Sequence, residues 1–176
     1  MTTPTTPQAG RATADADPAA VAGAYVTMWN ERDYSAIQSL VSETFVMYDP
    51  AVPAAGVPGP KGEAHGREGL RQFMELLTTA FPDFDIAILD TLAGEDLAMY
   101  EVRLTMTHEG PLGGVPPTGR RVDIRGASIL RLEDGFVAEH RFHTNMRDSA
   151  EQLGLTFPTV IGQLPKLLLR KVGTLH

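Results

Sequence analysis

Apolar residues recur at helical spacing in the first half of the chain and at every second position in the second half. Val21, Ala24, Tyr25, Met28 and Trp29 share one face of a helix expected over residues 18–30, with Asp17 as N-cap and Pro18 in the first helical position. Ile37, Leu40 and Val41 mark a shorter helix over 34–42, and 44–48 reads as a strand. Leu70, Phe73, Met74, Leu77 and Phe81 form the stripe of a third helix over 67–80, with Glu68 in its first turn and Pro82 ending it. After Pro82 the period changes to two. Strands are predicted over 85–92, 97–108, 122–132 and 136–144, and Asp134-Gly135 is a tight hairpin signal between the last pair. A short helix is expected at 149–153.

Helices grouped early and antiparallel strands grouped late predict an α+β domain. Three helices cannot cover both faces of a long sheet, so the sheet should curve around the longest helix into a cone. The open mouth of such a cone is where a ligand pocket forms. Residues 1–16, rich in Thr, Ala and Pro, read as a disordered tail without the apolar run of a signal peptide. Residues 17–155 form the domain, and 156–176 are an extension carrying a short basic amphipathic helix. The Pro/Gly-rich stretch 50–64 is a long loop, either functional or a tolerated surface insertion.

Composition narrows the classes. The chain of 176 residues has a net charge of −7, which disfavours nucleic acid as a partner. It has no cysteine, so disulfides, thiolate nucleophiles and cysteine-ligated metals are excluded, and a cytoplasmic location needs no special assumption. No stretch is long and apolar enough for a transmembrane segment. The five histidines lack metal-site spacing: His140 and His143 fall on opposite faces of one strand. Neither a metal nor a cofactor is expected.

Several segments resemble one family. His65-Gly66-Arg67-Glu68-Gly69-Leu70 with Phe81-Pro82-Asp83-Phe84, Thr107-His108-Glu109-Gly110 with the Gly114–Arg120 run, Arg131–His140, and Gln152-Leu153-Gly154 are together similar to the SnoaL-like polyketide cyclases of the nuclear-transport-factor-2-like fold. Trp29-Asn30-Glu31-Arg32-Asp33 and the 45–50 segment fit as well. The resemblance spans roughly residues 18–155. It implies a helix-filled cone, a homodimer paired through the outer sheet face, a small hydrophobic or aromatic ligand, and ring closure by an intramolecular aldol reaction without metal or cofactor. The family keeps a Glu, then a Trp two residues on, then a proton-moving Asp four further on. Here these positions are Glu139, Arg141 and Asn145. An amide does not titrate, so Asn145 cannot be the general base.

Strand periodicity sets Glu139, Arg141, His143 and Asn145 on one face, which either meets solvent or lines a polar cavity. In the second case His143 is the natural acid/base group, and Arg141 and Asn145 hold substrate oxygen. Phe142 and Ala138 then pack outward. His108, from the hairpin motif, is a further proton donor or a hairpin anchor. Tyr48 and His65 are candidate ligand contacts, with strand-end packing and loop anchoring as their plainer roles. Asp123 and Arg125 share a face and with Arg141 form a charged patch, part of the set an epoxide hydrolase of this fold would use.

Three classes of function stay open on the sequence. One is a cyclase- or isomerase-like enzyme acting by acid/base and oxyanion stabilisation, with an epoxide hydrolase as a variant. The others are a non-catalytic small-molecule binder and a structural or interaction module.

Overall fold

The computed structural model describes residues 17–52, 57, 59–156, 160, 162, 164 and 165. Helix α1 (Pro18–Glu31) is capped by the Asp17 carboxylate, which accepts the Ala19 N–H at 3.1 Å, and it buries Val21, Ala22, Tyr25, Val26, Met28 and Trp29. A single 3₁₀ turn (Tyr34–Ala36) and the four-residue α2 (Ile37–Leu40) follow. Strand β1 (Val41–Tyr48) then starts three residues earlier than expected, because Val41 is the first buried residue of the strand, not the last of a helix.

Within the Pro/Gly stretch the chain forms the short β2 (Glu63–His65), which pairs antiparallel with β1 and leads directly into α3 (Gly66–Ala80). Strands β3 (Asp85–Ala93), β4 (Leu97–Thr107), β5 (Arg121–Glu133) and β6 (Phe136–Thr144) form a continuous antiparallel meander, and α4 (Met146–Gln152) follows. The sheet order is β2-β1-β6-β5-β4-β3, with β1 and β6 parallel. The α+β fold with a curved, mostly antiparallel sheet is therefore present. Helix α1 lies against β3 and β4, and α3 against β1 and β2, so the two long helices fill the concave side. The expected tail over 1–16 and nearly all of the 156–176 extension lie outside the described residues.

Many of the motif residues are structural. The Asn30 amide pairs with the backbone of Ile86 as a strand would, donating Nδ2–H to the carbonyl (2.8 Å) and accepting the N–H (2.9 Å). Arg32 donates to the carbonyls of Pro82 and Phe84 at 2.6 and 3.2 Å. Together they pin the start of β3 to the end of α1. Gln152 pairs in the same way with the backbone of Asp123, at 2.7 and 3.0 Å, and pins α4 to β5. Asp83 accepts the N–H and hydroxyl of Thr107 at 2.5 and 2.7 Å, and burial does not offset these bonds, so its carboxyl titrates below the usual range.

The β4–β5 connection docks on the end of α3: the N–H groups of Glu109 and Gly110 both donate to Ala80 O, at 3.0 and 2.9 Å. A Cβ on Gly110 would stand 2.2 Å from the Thr79 carbonyl oxygen. Gly110→Ala should therefore destabilise the fold by about 2–3 kcal/mol, as backbone must move to admit it. Gly94→Ala, where a Cβ meets nothing within 4 Å, should change stability by less than about 0.5 kcal/mol. Denaturant unfolding checks both, and equal midpoints for the two variants would contradict the docking.

Candidate functional site

The inward positions of the strands are almost wholly apolar. On β4 they are Ala98, Tyr100, Val102, Leu104 and Met106. On β5 they are Val122, Ile124, Ser128 and Leu130, and on β1 they are Phe45 and Met47. All of these except Ala98, Leu130 and Phe45 join Trp29 and Phe73 from the helices in walling a cavity of about 120 Å³. A water molecule needs roughly 10–15 Å³, so the space is several-fold larger than one water requires. Among the described residues no lysine or arginine lines it, and Asp49 is the single carboxylate on the lining.

A small polar cluster interrupts this apolar wall. The imidazole of His140, 6% exposed, lies with Nδ1 3.3 Å from the Tyr25 hydroxyl and Nε2 3.1 Å from Ser128 Oγ. Tyr100 stands opposite Ser128 across the β4–β5 ladder, and the serine hydroxyl interacts with its phenol. A hydrogen-bonded chain of three polar groups thus runs from Ser128 on β5 through His140 on β6 to Tyr25 on α1, with the Tyr100 phenol near its Ser128 end. Burial pushes the His140 pKa down to about 3, so the ring is neutral, with one nitrogen donating and the other accepting. Burial also pushes both phenols well above their ordinary range. Trp29, 3% exposed, brings its indole Nε1–H toward the Tyr25 phenol without completing a hydrogen bond.

Asp49 extends the inward alternation of Phe45 and Met47 by one position and is 8% exposed. Its Oδ1 accepts the Ala51 N–H at 2.6 Å. Burial raises its pKa to about 6, and the Ala51 bond opposes that only partly. The negative charge of Asp49 is also felt by Tyr25.

The face of β6 that meets the cavity is the opposite of the one a regular strand would present. The β5–β6 register slips between Arg131 and Leu132, whose partners are Glu139 and Val137, so Ala138 is an extra residue in a bulge. Val137 points inward before it, and His140, Phe142 and Thr144 point inward after it. Unbroken alternation from Val137 would have turned 139, 141 and 143 inward. Instead Arg141 and His143 are exposed and Glu139 is half-buried on the outer face. Glu139 accepts from Arg141 at 2.8 Å and pairs with Arg131 at 3.5 Å, and the Arg141 guanidinium lies 4.7 Å above the Tyr48 ring. Tyr48, Arg141 and His143, with Asp49, Pro50, Gly62 and Phe142, border a shallow open depression outside the cone. Phe142 lines the cavity, correcting its expected outward packing; a Cβ on Gly126 would stand 2.5 Å from its ring.

The other sequence-predicted residues do not converge on the cavity. Asn145 is exposed and caps α4, accepting the N–H groups of Arg147 and Asp148 at 3.2 and 3.4 Å. His108 is fully buried but is not among the lining residues. It packs 5.1 Å from the Phe81 ring and meets Thr118 Oγ1 through Nδ1 at 3.2 Å, anchoring the hairpin. His65 is exposed and bonded to Glu63 at 2.6 Å. Asp123 pairs with Arg103 at 2.5 Å and Arg125 with Glu101 at 3.2 Å, all on the outer face. Asp123 and Arg125 therefore do not combine with Arg141 in an interior site. Among the described residues no group of three or more His, Asp or Glu is placed to hold a metal ion, and no helix is long and apolar enough to cross a membrane.

A family model described as SnoaL-like polyketide cyclase matches residues 19–153. The aklanonic acid methyl ester cyclase DauD of Streptomyces sp. (strain C5) is 28% identical over 124 residues, 69% of this chain and 74% of DauD. Among solved structures, AclR of Streptomyces galilaeus is similar at TM-score 0.63 and 31% identity, over 79% of this chain and 96% of AclR. IdmH of Streptomyces antibioticus is similar at TM-score 0.67 and 26% identity, over 78% and 98% of the two chains.

Asp49 and His140, both buried, make opposite demands on pH. The native pKa of Asp49 lies above its unfolded value, so the native state holds more protons between pH 3.8 and about 6 and loses stability as pH rises through that window. The native pKa of His140 lies below its unfolded 6.5, so the unfolded state binds the proton first and stability falls as pH drops below 6.5. Asp49→Asn should raise unfolding free energy by up to about 3 kcal/mol at pH 7.5, and the gain should vanish by pH 4. His140→Gln should flatten the acid limb of the curve. Denaturant unfolding from pH 4 to 8 tests both, and a pH-independent effect of Asp49→Asn would contradict the burial argument.

Proposed function

Because the chain belongs to the SnoaL-like polyketide cyclase family, we propose that it closes a ring in a small hydrophobic or aromatic substrate by an intramolecular aldol reaction inside the cone. The observation that carries this reading is the apolar cavity with one polar cluster, Tyr25–His140–Ser128 beside Asp49, on its wall. Apolar walls hold the substrate's rings, and the few hydroxyl and indole donors orient its carbonyl oxygens. Donors fixed in a dry site stabilise an oxyanion more than water does, because they need not reorient as charge develops.

The walls also indicate a substrate class. With no cation among the described lining residues and a carboxylate already present, a substrate carboxylate would be buried unpaired there. An ester or ketone suits the site, and DauD, whose name specifies a methyl ester, is in line with that. A second reading, a non-catalytic binder, is favoured by Asn145, which replaces the family's aspartate and is engaged as a helix cap.

The assay is ring closure of an aromatic polyketide ester, seen as an isomer of unchanged mass with a new retention time. Tyr25→Phe should lower kcat by about 100-fold to 1,000-fold through loss of one oxyanion donor. His143→Ala and Arg141→Ala should stay within about threefold of the parent, and a large loss in either would move the site to the outer face. Saturable ligand binding without product in the parent protein would select the binder.

We also assign a homodimer contact to the outer sheet face. Leu92, Met99 and Ile129 are successive cross-strand partners there, and Leu92 and Met99 are 77% and 43% exposed. A contiguous apolar row of this kind is normally covered. Light scattering should give the mass of two chains, and Leu92→Lys with Met99→Lys should shift it to one. A single-chain mass for the parent protein would contradict the assignment.

A further inference from the structure

We propose that Asp49 is the proton-abstracting residue of the cavity, taking a proton from an acidic C–H beside a substrate carbonyl while the Tyr25 phenol holds the enolate oxygen that forms. The proposal rests on the cavity being the reaction site. In the step, the C–H bond breaks and its proton goes to Asp49 Oδ2. The bonding pair becomes the C=C of the enolate, and the carbonyl becomes C–O⁻. The enolate carbon then attacks a second carbonyl of the same molecule, and the proton on Asp49 returns to the resulting alkoxide. Atoms and charge balance without any co-reactant.

Geometry singles out Asp49. It is the one carboxylate on the cavity lining among the described residues, and it follows Met47 on the inward side of β1. The Ala51 N–H holds Oδ1 at 2.6 Å, which fixes the carboxylate plane and leaves Oδ2 free of any bond among the described residues. Asp49 makes no ion pair among the described residues. Arg141, the nearest cation on the neighbouring strand, is engaged by Glu139 and stacked on Tyr48. Asp49 and Phe142 border both the cavity and the outer depression, so the carboxylate stands in the wall between interior and solvent.

The other candidate bases are weaker or misplaced. His140 faces the cavity, but with a pKa near 3 its ring is a poor base, three units below Asp49 at about 6. His143 is exposed on the outer face, His108 is off the lining, and Asn145 does not titrate. Burial thus raises the basicity of the carboxylate and lowers that of the imidazole on the same wall, which assigns the base to Asp49. The titratable and charged groups on the elements around it are Tyr25 on α1, Tyr48 on β1, Glu63 on β2, and His140, Arg141 and His143 on β6.

The test separates proton abstraction from ring closure. Ethyl benzoylacetate, an aryl β-keto ester that cannot cyclise, is incubated with the full chain in D₂O, and exchange of the C–H between its carbonyls is followed by proton NMR. Binding is read from the fluorescence of Trp29, the single tryptophan and a cavity residue. The parent protein should accelerate exchange over buffer, with a rate that rises through pH 6. Asp49→Asn should lose about 100-fold or more of that acceleration, lose the pH dependence, and bind with Kd within a few-fold. Asp49→Ala should regain part of the rate on addition of formate. No acceleration by the parent protein, equal acceleration by Asp49→Asn, or a loss explained by Kd alone would overturn the proposal. Asp49-dependent exchange without ring closure of any polyketide ester would leave it standing and reject the cyclase reading instead.

Discussion

One extra residue in β6, Ala138, determines which side chains meet the inside of the cone. A bulge shifts the phase of a strand by one residue, so every side chain beyond it changes face. Here it keeps Val137 in the core and then turns His140, Phe142 and Thr144 inward. His140 is thereby brought between Tyr25 and Ser128, and Phe142 comes against Gly126, where no Cβ would fit. The same shift sends Glu139, Arg141 and His143 outward, where Glu139 pairs with Arg131 and Arg141. Without the bulge the cavity would hold an arginine and a glutamate, and its character would be charged instead of apolar.

The apolar cavity gives its few polar groups their chemistry. A neutral imidazole, two phenols and a carboxylate are all held away from water, and each is pushed toward its uncharged form. For Asp49 this costs about 3 kcal/mol of stability at neutral pH, a large fraction of what holds a domain of this size together. An isosteric amide would avoid that cost, so the carboxylate is best understood as functional. The hydroxyl and imidazole chain is the counterpart: it satisfies its own hydrogen bonds and stays rigid, as a site that must hold an oxygen in place requires.

Much of the architecture was legible in the sequence because it depends on local rules. The stripe from Leu70 to Leu77, the Asp17–Pro18 cap and the Asp134-Gly135 turn each correspond to an element the structure contains. What was not legible depends on pairing between distant segments. β2 is three residues inside a Pro/Gly stretch, visible only through its partner β1. The bulge at Ala138 carries no Gly or Pro to announce it, so alternation read from Val137 puts the wrong residues inside. Two signals were available. Asn145 before Met146 is an N-cap pattern that would have started the last helix at its observed position. Phe45, Met47 and Asp49 form an alternating series whose third member is charged, which places a carboxylate where the core should continue.

The central claim is that Asp49 is a desolvated carboxylate facing an apolar cavity. The most direct measurement is a carboxyl ¹³C NMR titration of the full chain, with the Asp49 resonance assigned by its absence in Asp49→Asn. The midpoint should lie at about 6, well above the exposed aspartates, and shift further upward when an aromatic ester fills the cavity and removes the remaining water. A midpoint at or below the ordinary value of about 4, unmoved by the ester, would show a hydrated carboxylate and contradict the account.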